Sequence, residues 1–170
     1  GYLYVATSTE HSGNCAYVHK LNATTGEIIW SKEYNDVAYD YAVSGGALSS
    51  PVLGKEGTDL EGMLIVSIAK TPSAWAGRLI AFDTETGDVI WEKTLANYAW
   101  STPVGVYTDS GKGYVLLCDS VGNLFLIDGV TGEILQKENL GSNVESSPVV
   151  FNDRLIVGTR GCQVWCVEID

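Results

Sequence analysis

The sequence predicts an all-β protein, a β-propeller of four-stranded antiparallel blades that forms a partial ring of two complete and two incomplete blades. Three observations predict this fold: a repeated hairpin phrase, a second phrase that alternates with it, and many short β-branched and aromatic runs between turn residues. Repeats of roughly 40–50 residues with four short strands each are typical of propeller blades. No apolar stripe at helical spacing runs for more than about two turns, so helices are not expected.

The hairpin phrase is clearest at residues 81–91 (AFDTETGDVIW). Two apolar runs flank a polar segment that ends in Thr-Gly, and this arrangement indicates a β-hairpin because glycine adopts the positive φ that β-branched residues avoid. Related copies lie at residues 21–30 and 127–136, and Thr131 follows Thr86 by 45 residues. Each copy therefore predicts the last two strands of one blade.

The second phrase, Ser-Ser/Thr-Pro-Val, begins at Ser49, Ser101 and Ser146, and Pro148 follows Pro103 by 45 residues. It predicts the first strand of a blade. We label the strands of a blade A to D from the inner edge outward. A single partial propeller domain is predicted over residues 1–170, with blades at about 1–34, 47–94, 100–138 and 145–170. The first blade lacks strand A and the last lacks strand D. The predicted strands are 2–6, 16–21, 27–32, 50–53, 63–69, 78–82, 89–93, 102–107, 114–118, 124–127, 133–137, 147–151, 155–158 and 164–167.

Several strands, such as residues 64–66 and 124–127, are apolar on both faces. Burial on both faces is expected when a blade is covered by a blade on either side. Trp30 and Trp91 occupy the same place on strand D, and we predict that each packs against the neighbouring blade. Gln136 replaces the tryptophan in the third copy, which predicts a weaker contact there.

These phrases resemble the quinoprotein-type propeller repeat, Ala-x-Asp-x-x-Thr-Gly-x-x-x-Trp followed by Ser-x-Pro-Val. The copy at residues 81–91 matches nearly throughout, whereas Asn22 replaces the Asp in the first copy. The resemblance implies a ring of seven or eight blades, so this chain is expected to be the C-terminal half of a larger ring. In the alternative, another copy of the chain covers the open blade faces. The resemblance also implies a secreted or periplasmic location.

Charge and cysteine content limit the possible partners. The chain has 10 Lys+Arg against 21 Asp+Glu, a net charge of −11. Such a chain is not expected to bind nucleic acid or anionic lipid, because phosphate contacts need a basic face. No apolar run approaches the roughly 18 residues of a membrane span. The four cysteines lack a zinc-type spacing and are expected to be buried thiols.

A binding face is predicted from the positions of the longer loops. In an up-and-down meander the D-to-A and B-to-C loops emerge on one face, and length has been added there at residues 35–48, 70–77 and 7–14. Loops carry function more often than the strands that hold them. The candidate residues are aromatic or acidic and suit a protein or carbohydrate ligand. They are Asp36, Tyr39, Asp40, Tyr41, Trp75, Tyr98 and Trp100, with Glu10 and His11 nearby. Alternatively, these loops only cover the open end of the ring.

Catalytic motifs are missing from the sequence. There is no Gly-x-Ser-x-Gly, no phosphate loop, no His-Glu-x-x-His and no adjacent Cys-Cys pair. We therefore predict a non-catalytic binding or scaffold propeller with no catalytic residue, metal ligand or cofactor. Since the resembling family includes pyrroloquinoline quinone dehydrogenases as well as scaffolds without cofactor, the alternative is half of such a dehydrogenase, with the quinone and calcium bound.

Overall fold

A computed structural model describes residues 1–9, 15–38 and 44–169 of the chain, and these residues contain strands and turns but no helix. The strands form four antiparallel sheets, which we call blades 1 to 4 in chain order. The all-β class and the partial propeller are confirmed, and the blades do not close into a ring.

Blade 1 consists of β1 (Tyr2–Ala6), β3 (Ala16–Asn22) and β4 (Ile28–Tyr34). Blade 2 consists of β2 (Ser8–Thr9), β5 (Gly45–Gly46), β6 (Val52–Leu53), β7 (Met63–Ala69), β8 (Gly77–Asp83) and β9 (Val89–Leu95). Blade 3 consists of β10 (Val104–Tyr107), β11 (Gly113–Cys118), β12 (Asn123–Asp128) and β13 (Ile134–Asn139). Blade 4 consists of β14 (Val149–Phe151), β15 (Arg154–Gly158) and β16 (Val164–Glu168).

The predicted strands agree with these bounds to within two residues at each end. The inner strands β6, β10 and β14 all begin two residues later than predicted, at the valine that follows the proline of the second phrase. Proline has no N–H to donate to a strand ladder, so pairing starts only after it.

The prediction that the extra residues form loops is wrong in part. Strand β5, within the predicted D-to-A loop, pairs with β7 through Gly46 and Ala69. Strand β2, within the predicted B-to-C loop of blade 1, pairs with the other edge of β5. These short strands tie blade 1 to blade 2. The sequence did not indicate them because two residues carry no alternation and glycine has a low strand propensity.

Apolar clusters lie between successive blades, as the two-sided apolar strands predicted. Blades 1 and 2 enclose a cluster that includes Ala16, Val18, Leu64, Val66, Ile68, Ile80 and Phe82. Blades 2 and 3 enclose Ile65, Leu79, Ala81, Trp91, Val115, Leu117, Phe125 and Ile127. Blades 3 and 4 enclose Leu116, Cys118, Leu124, Leu155 and Val157. Blades 2 and 3 therefore bury both faces against their neighbours in the chain, and blades 1 and 4 bury one face each.

The tryptophans of strand D dock on the next blade, as predicted. The Trp30 Nε1–H of blade 1 donates a hydrogen bond to the Thr84 carbonyl of blade 2 at 3.1 Å. The Trp91 Nε1–H of blade 2 donates to the Gly129 carbonyl of blade 3 at 2.9 Å. Both indoles thus pack between blades with their polar N–H satisfied. Gln136, at the same register position of blade 3, is exposed.

The second phrase also joins blades, at their inner edges. The Ser50 N–H of blade 2 donates to the Thr102 hydroxyl of blade 3 at 3.3 Å. The Thr102 N–H in turn donates to the Ser147 hydroxyl of blade 4 at 3.1 Å. Both repeated phrases therefore form contacts between blades. Functional residues are accordingly expected on the loops.

The two end blades expose apolar residues that the inner blades bury. Leu3 and Val5 of blade 1 are 54% and 42% exposed, whereas Leu64 and Val66, at the same register positions of blade 2, are 1% and 0% exposed. On the outer face of blade 4, Phe151 is 75% exposed. These faces have the composition of blade-to-blade surfaces but no blade against them in the described chain.

The expectation of four buried thiols is correct only for Cys118. Its burial, together with the charge of the adjacent Asp119, raises the pKa of this thiol to about 12. Cys15 is half-buried, while Cys162 and Cys166 are exposed, and all four are free. Cys162 lies in a turn at a φ of 59°, and Cys166 is opposite Ile156 on the outer face of blade 4. That face is uncovered, so an apolar strand residue there remains accessible.

Candidate functional site

The D-to-A and B-to-C loops lie on the same face of the blade array, as the meander predicted. The Ala38 N–H of a D-to-A loop donates to the Lys70 carbonyl of the next blade's B-to-C loop at 2.7 Å. Between blades 2 and 3, the Ser120 N–H donates to the Tyr98 carbonyl at 2.9 Å. We call this the loop face. Because backbone hydrogen bonds join its loops across blades, it is a continuous surface rather than a set of separate loops.

Three of the predicted residues, Trp75, Tyr98 and Trp100, lie on two loops of the loop face that a backbone hydrogen bond joins, and we call these three residues the aromatic group. The Tyr98 N–H donates to the Trp75 carbonyl at 2.8 Å, which ties the two loops together. The Tyr98 and Trp100 rings lie 5.0 Å apart between centroids, with 42° between their planes. Trp75 is 75% exposed, whereas Tyr98 and Trp100 are half-buried. The group therefore consists of one exposed indole and, on the adjoining loop, two half-buried rings that contact each other.

Trp100 carries an enclosed polar atom. Its indole Nε1 is buried and has no hydrogen-bond partner among the described residues. A buried donor without an acceptor costs free energy, and a ligand oxygen would reach this atom only if the surrounding residues moved apart. The aromatic group thus offers an apolar contact surface, and the Trp100 donor is not part of that surface.

Asp36, the fourth predicted residue, is engaged in contacts between blades. Its carboxylate forms an ion pair with Arg78 and accepts a hydrogen bond from the Thr71 hydroxyl at 2.8 Å. Arg78 also lies 3.3 Å from the Glu92 carboxylate. Asp36 therefore neutralises a cation of the next blade, and its charge is less available to a ligand than the sequence suggested.

The remaining predicted residues, Tyr39, Asp40 and Tyr41, lie outside the described residues, as do Glu10 and His11. The structure adds Lys70, which sequence reasoning missed. Its ammonium lies 5.9 Å from the centroid of the Tyr98 ring, and its backbone has a φ of 60°. No pattern in the sequence marks a lysine for this place, because the contact depends on how the loops meet.

Tyr34 adjoins the Asp36–Arg78 ion pair, with the Arg78 guanidinium 5.8 Å from its ring centroid. Burial, aided by the charge of Glu92, raises the pKa of Tyr34 to about 12. A raised phenol pKa favours the neutral form in the folded state. The stability that this contributes is complete below the ordinary tyrosine pKa of about 10 and is lost as the pH rises through the folded value.

We therefore expect Tyr34 to stay neutral when exposed tyrosines ionise. In an alkaline titration followed by tyrosinate absorbance, the wild type and Tyr34→Phe should differ only near pH 12. A loss of amplitude near pH 10 in Tyr34→Phe would contradict the burial of this phenol.

The described part of the chain shows neither a metal-binding cluster nor a membrane-spanning helix. Among residues 1–9, 15–38 and 44–169, no group of three or more His, Cys, Asp or Glu side chains is arranged to hold a metal ion. Within the same residues, no helix has the length and apolar content needed to cross a membrane.

The model of the family described as outer membrane protein assembly factor BamB matches residues 15–109 and 75–170. The chain belongs to this family. The resemblance to the quinoprotein-type propeller repeat is thereby confirmed. Membership of this family also supports a binding or scaffold role in general.

Two curated relatives of this BamB-family chain are enzymes. The β-alanine-activating enzyme of Danio rerio is 28% identical over 96 residues, which cover 55% of this chain and 8% of that enzyme. The quinoprotein ethanol dehydrogenase of Pseudomonas aeruginosa is 33% identical over 76 residues, which cover 45% of this chain and 12% of that enzyme. The chain thus spans a small fraction of the length of these relatives.

A solved structure supports the fold. The crystal structure of the computationally designed Ika4 protein aligns with 94% of this chain and 88% of its own length, with a TM-score of 0.59 and 11% identity. At that identity the likeness concerns the fold alone.

Proposed function

We propose that this chain is a non-catalytic part of an extracytoplasmic propeller scaffold that binds a protein partner through the loop face. The observation that carries the proposal is the exposed Trp75 beside the Tyr98–Trp100 pair, held on loops that are joined by backbone hydrogen bonds. The family description, an assembly factor for outer membrane proteins, favours a protein over a carbohydrate as the ligand.

The aromatic group has the properties of a binding hot spot. Tryptophan and tyrosine contribute large contact areas with few rotatable bonds, and they dominate the energetics of many protein interfaces. The surrounding loops are already ordered by contacts between blades, which lowers the entropy cost of binding. With a net charge of −11, the chain favours a partner that brings basic residues to the rim of the contact.

Under this proposal the open faces of blades 1 and 4 are covered by further blades of the ring or by another copy of the chain. The exposed Leu3 and Val5 support this, because their counterparts in blade 2 are buried by a neighbouring blade. The loop face is formed by the D-to-A and B-to-C loops at the ends of the strands, whereas the open faces are the sheet surfaces of blades 1 and 4. The two kinds of surface are therefore separate.

The proposal predicts that the partner contacts Trp75. A photo-crosslinking amino acid at position 75 should give a defined protein adduct in an extracytoplasmic extract of the source cell, and the untagged wild-type chain should compete for it. Trp75→Ala should weaken competition by about 10-fold or more, since loss of a hot-spot side chain costs about 2 kcal/mol.

The matched control places the same crosslinker at Val130, an exposed residue of a C-to-D hairpin on the opposite face. It should give no adduct. Trp75→Ala should retain the wild-type melting temperature, since its side chain is on the surface. If the adduct formed from position 130 and Trp75→Ala competed as well as the wild type, the face assignment would be wrong.

The second candidate is half of a quinone-dependent dehydrogenase, favoured by the 33% identity to the quinoprotein ethanol dehydrogenase. Adding pyrroloquinoline quinone with calcium to the whole parent protein and following quinone absorbance and dye reduction separates the two functions. A saturable spectral change with turnover of an alcohol would favour the dehydrogenase. Crosslinking through position 75 without turnover would favour the scaffold.

A further inference from the structure

A cleft of about 130 Å³ lies between blades 3 and 4 at their outer edge. Its buried side is formed by leucines, of which Leu116, Leu124 and Leu155 are almost fully buried. Three polar side chains line it from exposed positions, Gln136 and Glu138 of β13 and Glu168 of β16. The cleft therefore has an apolar interior with polar groups at its opening.

The strand registers show what occupies this place between the other blades. Gln136 pairs with Leu126 in blade 3, just as Trp91 pairs with Ala81 in blade 2. Trp91 is nine-tenths buried and belongs to the cluster between blades 2 and 3. The cleft between blades 3 and 4 is thus the position of an indole in the repeat, and here an exposed amide replaces the indole and donates a 3.4 Å hydrogen bond to Glu138.

The hydrogen-bond acceptor of that position is also retained. Gly129, whose carbonyl accepts the Trp91 N–H, donates its own N–H to the Gly113 carbonyl at 3.1 Å. Ile169 of blade 4 donates its N–H to the Asp153 carbonyl at 2.8 Å in the same arrangement. Ile169 lines the cleft. Its carbonyl therefore corresponds to the Gly129 carbonyl, which accepts the Trp91 indole N–H between blades 2 and 3.

The size of the cleft sets the size of an occupant. Leu126 stands where blade 2 has the smaller Ala81 and fills part of the space that a tryptophan would take. The volume that remains is close to that of an engineered apolar cavity of about 150 Å³ in another protein, which stays dry and binds benzene. An aromatic molecule of one or two rings therefore matches the cleft better than an aliphatic chain or a sugar.

We propose that this cleft is a binding site for a small planar aromatic ligand that carries an N–H donor, of the size of indole. The ring would lie between the leucines of blade 3 and Leu155 of blade 4. Its N–H would point to the Ile169 carbonyl, as the Trp91 indole points to the Gly129 carbonyl. The site is independent of the loop face, because it lies at the outer edge of the blades.

Indole itself is the probe. In the wild-type chain, titration with indole should shift the methyl NMR signals of Leu116 and Leu155 saturably, with a Kd of about 0.1–1 mM for a ligand of this size. The methyl signals of Leu3 and Val5 on the open face of blade 1 should stay in place. The melting temperature should rise with indole concentration, because the ligand binds the folded state.

Two variants and a second ligand test the geometry. Gln136→Trp, which restores the repeat, should abolish the indole shift, whereas Gln136→Ala, which leaves the cleft open, should retain it. 1-Methylindole, which cannot donate a hydrogen bond, should bind several-fold more weakly than indole. The proposal is overturned if indole gives no saturable shift at Leu116 and Leu155, if the shifts appear only at the end faces, or if Gln136→Trp binds indole as well as Gln136→Ala does.

Discussion

Trp91→Ala is expected to lower the free energy of unfolding by about 3–5 kcal/mol, the range for removing a buried aromatic side chain. Trp91 is buried between blades 2 and 3 and donates a 2.9 Å hydrogen bond to the Gly129 carbonyl. Its removal therefore leaves both a cavity and an unsatisfied carbonyl. Urea unfolding followed by far-ultraviolet circular dichroism measures the change.

Trp75→Ala is the matched control, because it removes the same side chain from an exposed position. It should change the free energy of unfolding by less than about 0.5 kcal/mol. Similar losses for the two variants would mean that Trp91 does not hold blades 2 and 3 together. The stacking of blades through strand D would then need another explanation.

Gly132→Ala is expected to cost about 1–3 kcal/mol more than Gly26→Ala, because only the first substitution overpacks an interface between blades. The two glycines have the same backbone conformation, with φ of 72° and 74°. A Cβ at Gly132 would lie 2.6 Å from the Trp91 ring, whereas a Cβ at Gly26 would meet no atom within 4 Å. The strain of a positive φ is thus common to both variants and cancels in the comparison.

Gly87 provides a second instance of the same test. Its φ is 73°, and a Cβ there would lie 2.8 Å from the Trp30 ring. Gly87→Ala should therefore resemble Gly132→Ala in urea unfolding. Equal destabilisation by all three substitutions would show that the glycines serve only the hairpin turn and that the indoles do not press on them.

Much of the candidate site could be placed from the sequence, but its contacts could not. Loop lengths and the meander were enough to put Trp75, Tyr98 and Trp100 on one face, and the structure brings these three together. The pairing of Asp36 with Arg78 was missed, because residues 42 positions apart carry no local signal of contact. A free carboxylate and a paired one look the same in a sequence.

The repeated phrases alone established the period, the strands of each blade and the docking of Trp30 and Trp91. Those features follow from local chemistry that is written within a few residues: alternating apolar runs, a glycine at a positive φ and a proline that delays a strand. Only the tertiary structure decided that β2 and β5 join blades 1 and 2, that Cys166 is accessible, and that a cleft remains beside Gln136. Each of these depends on which distant segments meet and how closely they pack, and neither property is encoded in a short stretch of residues.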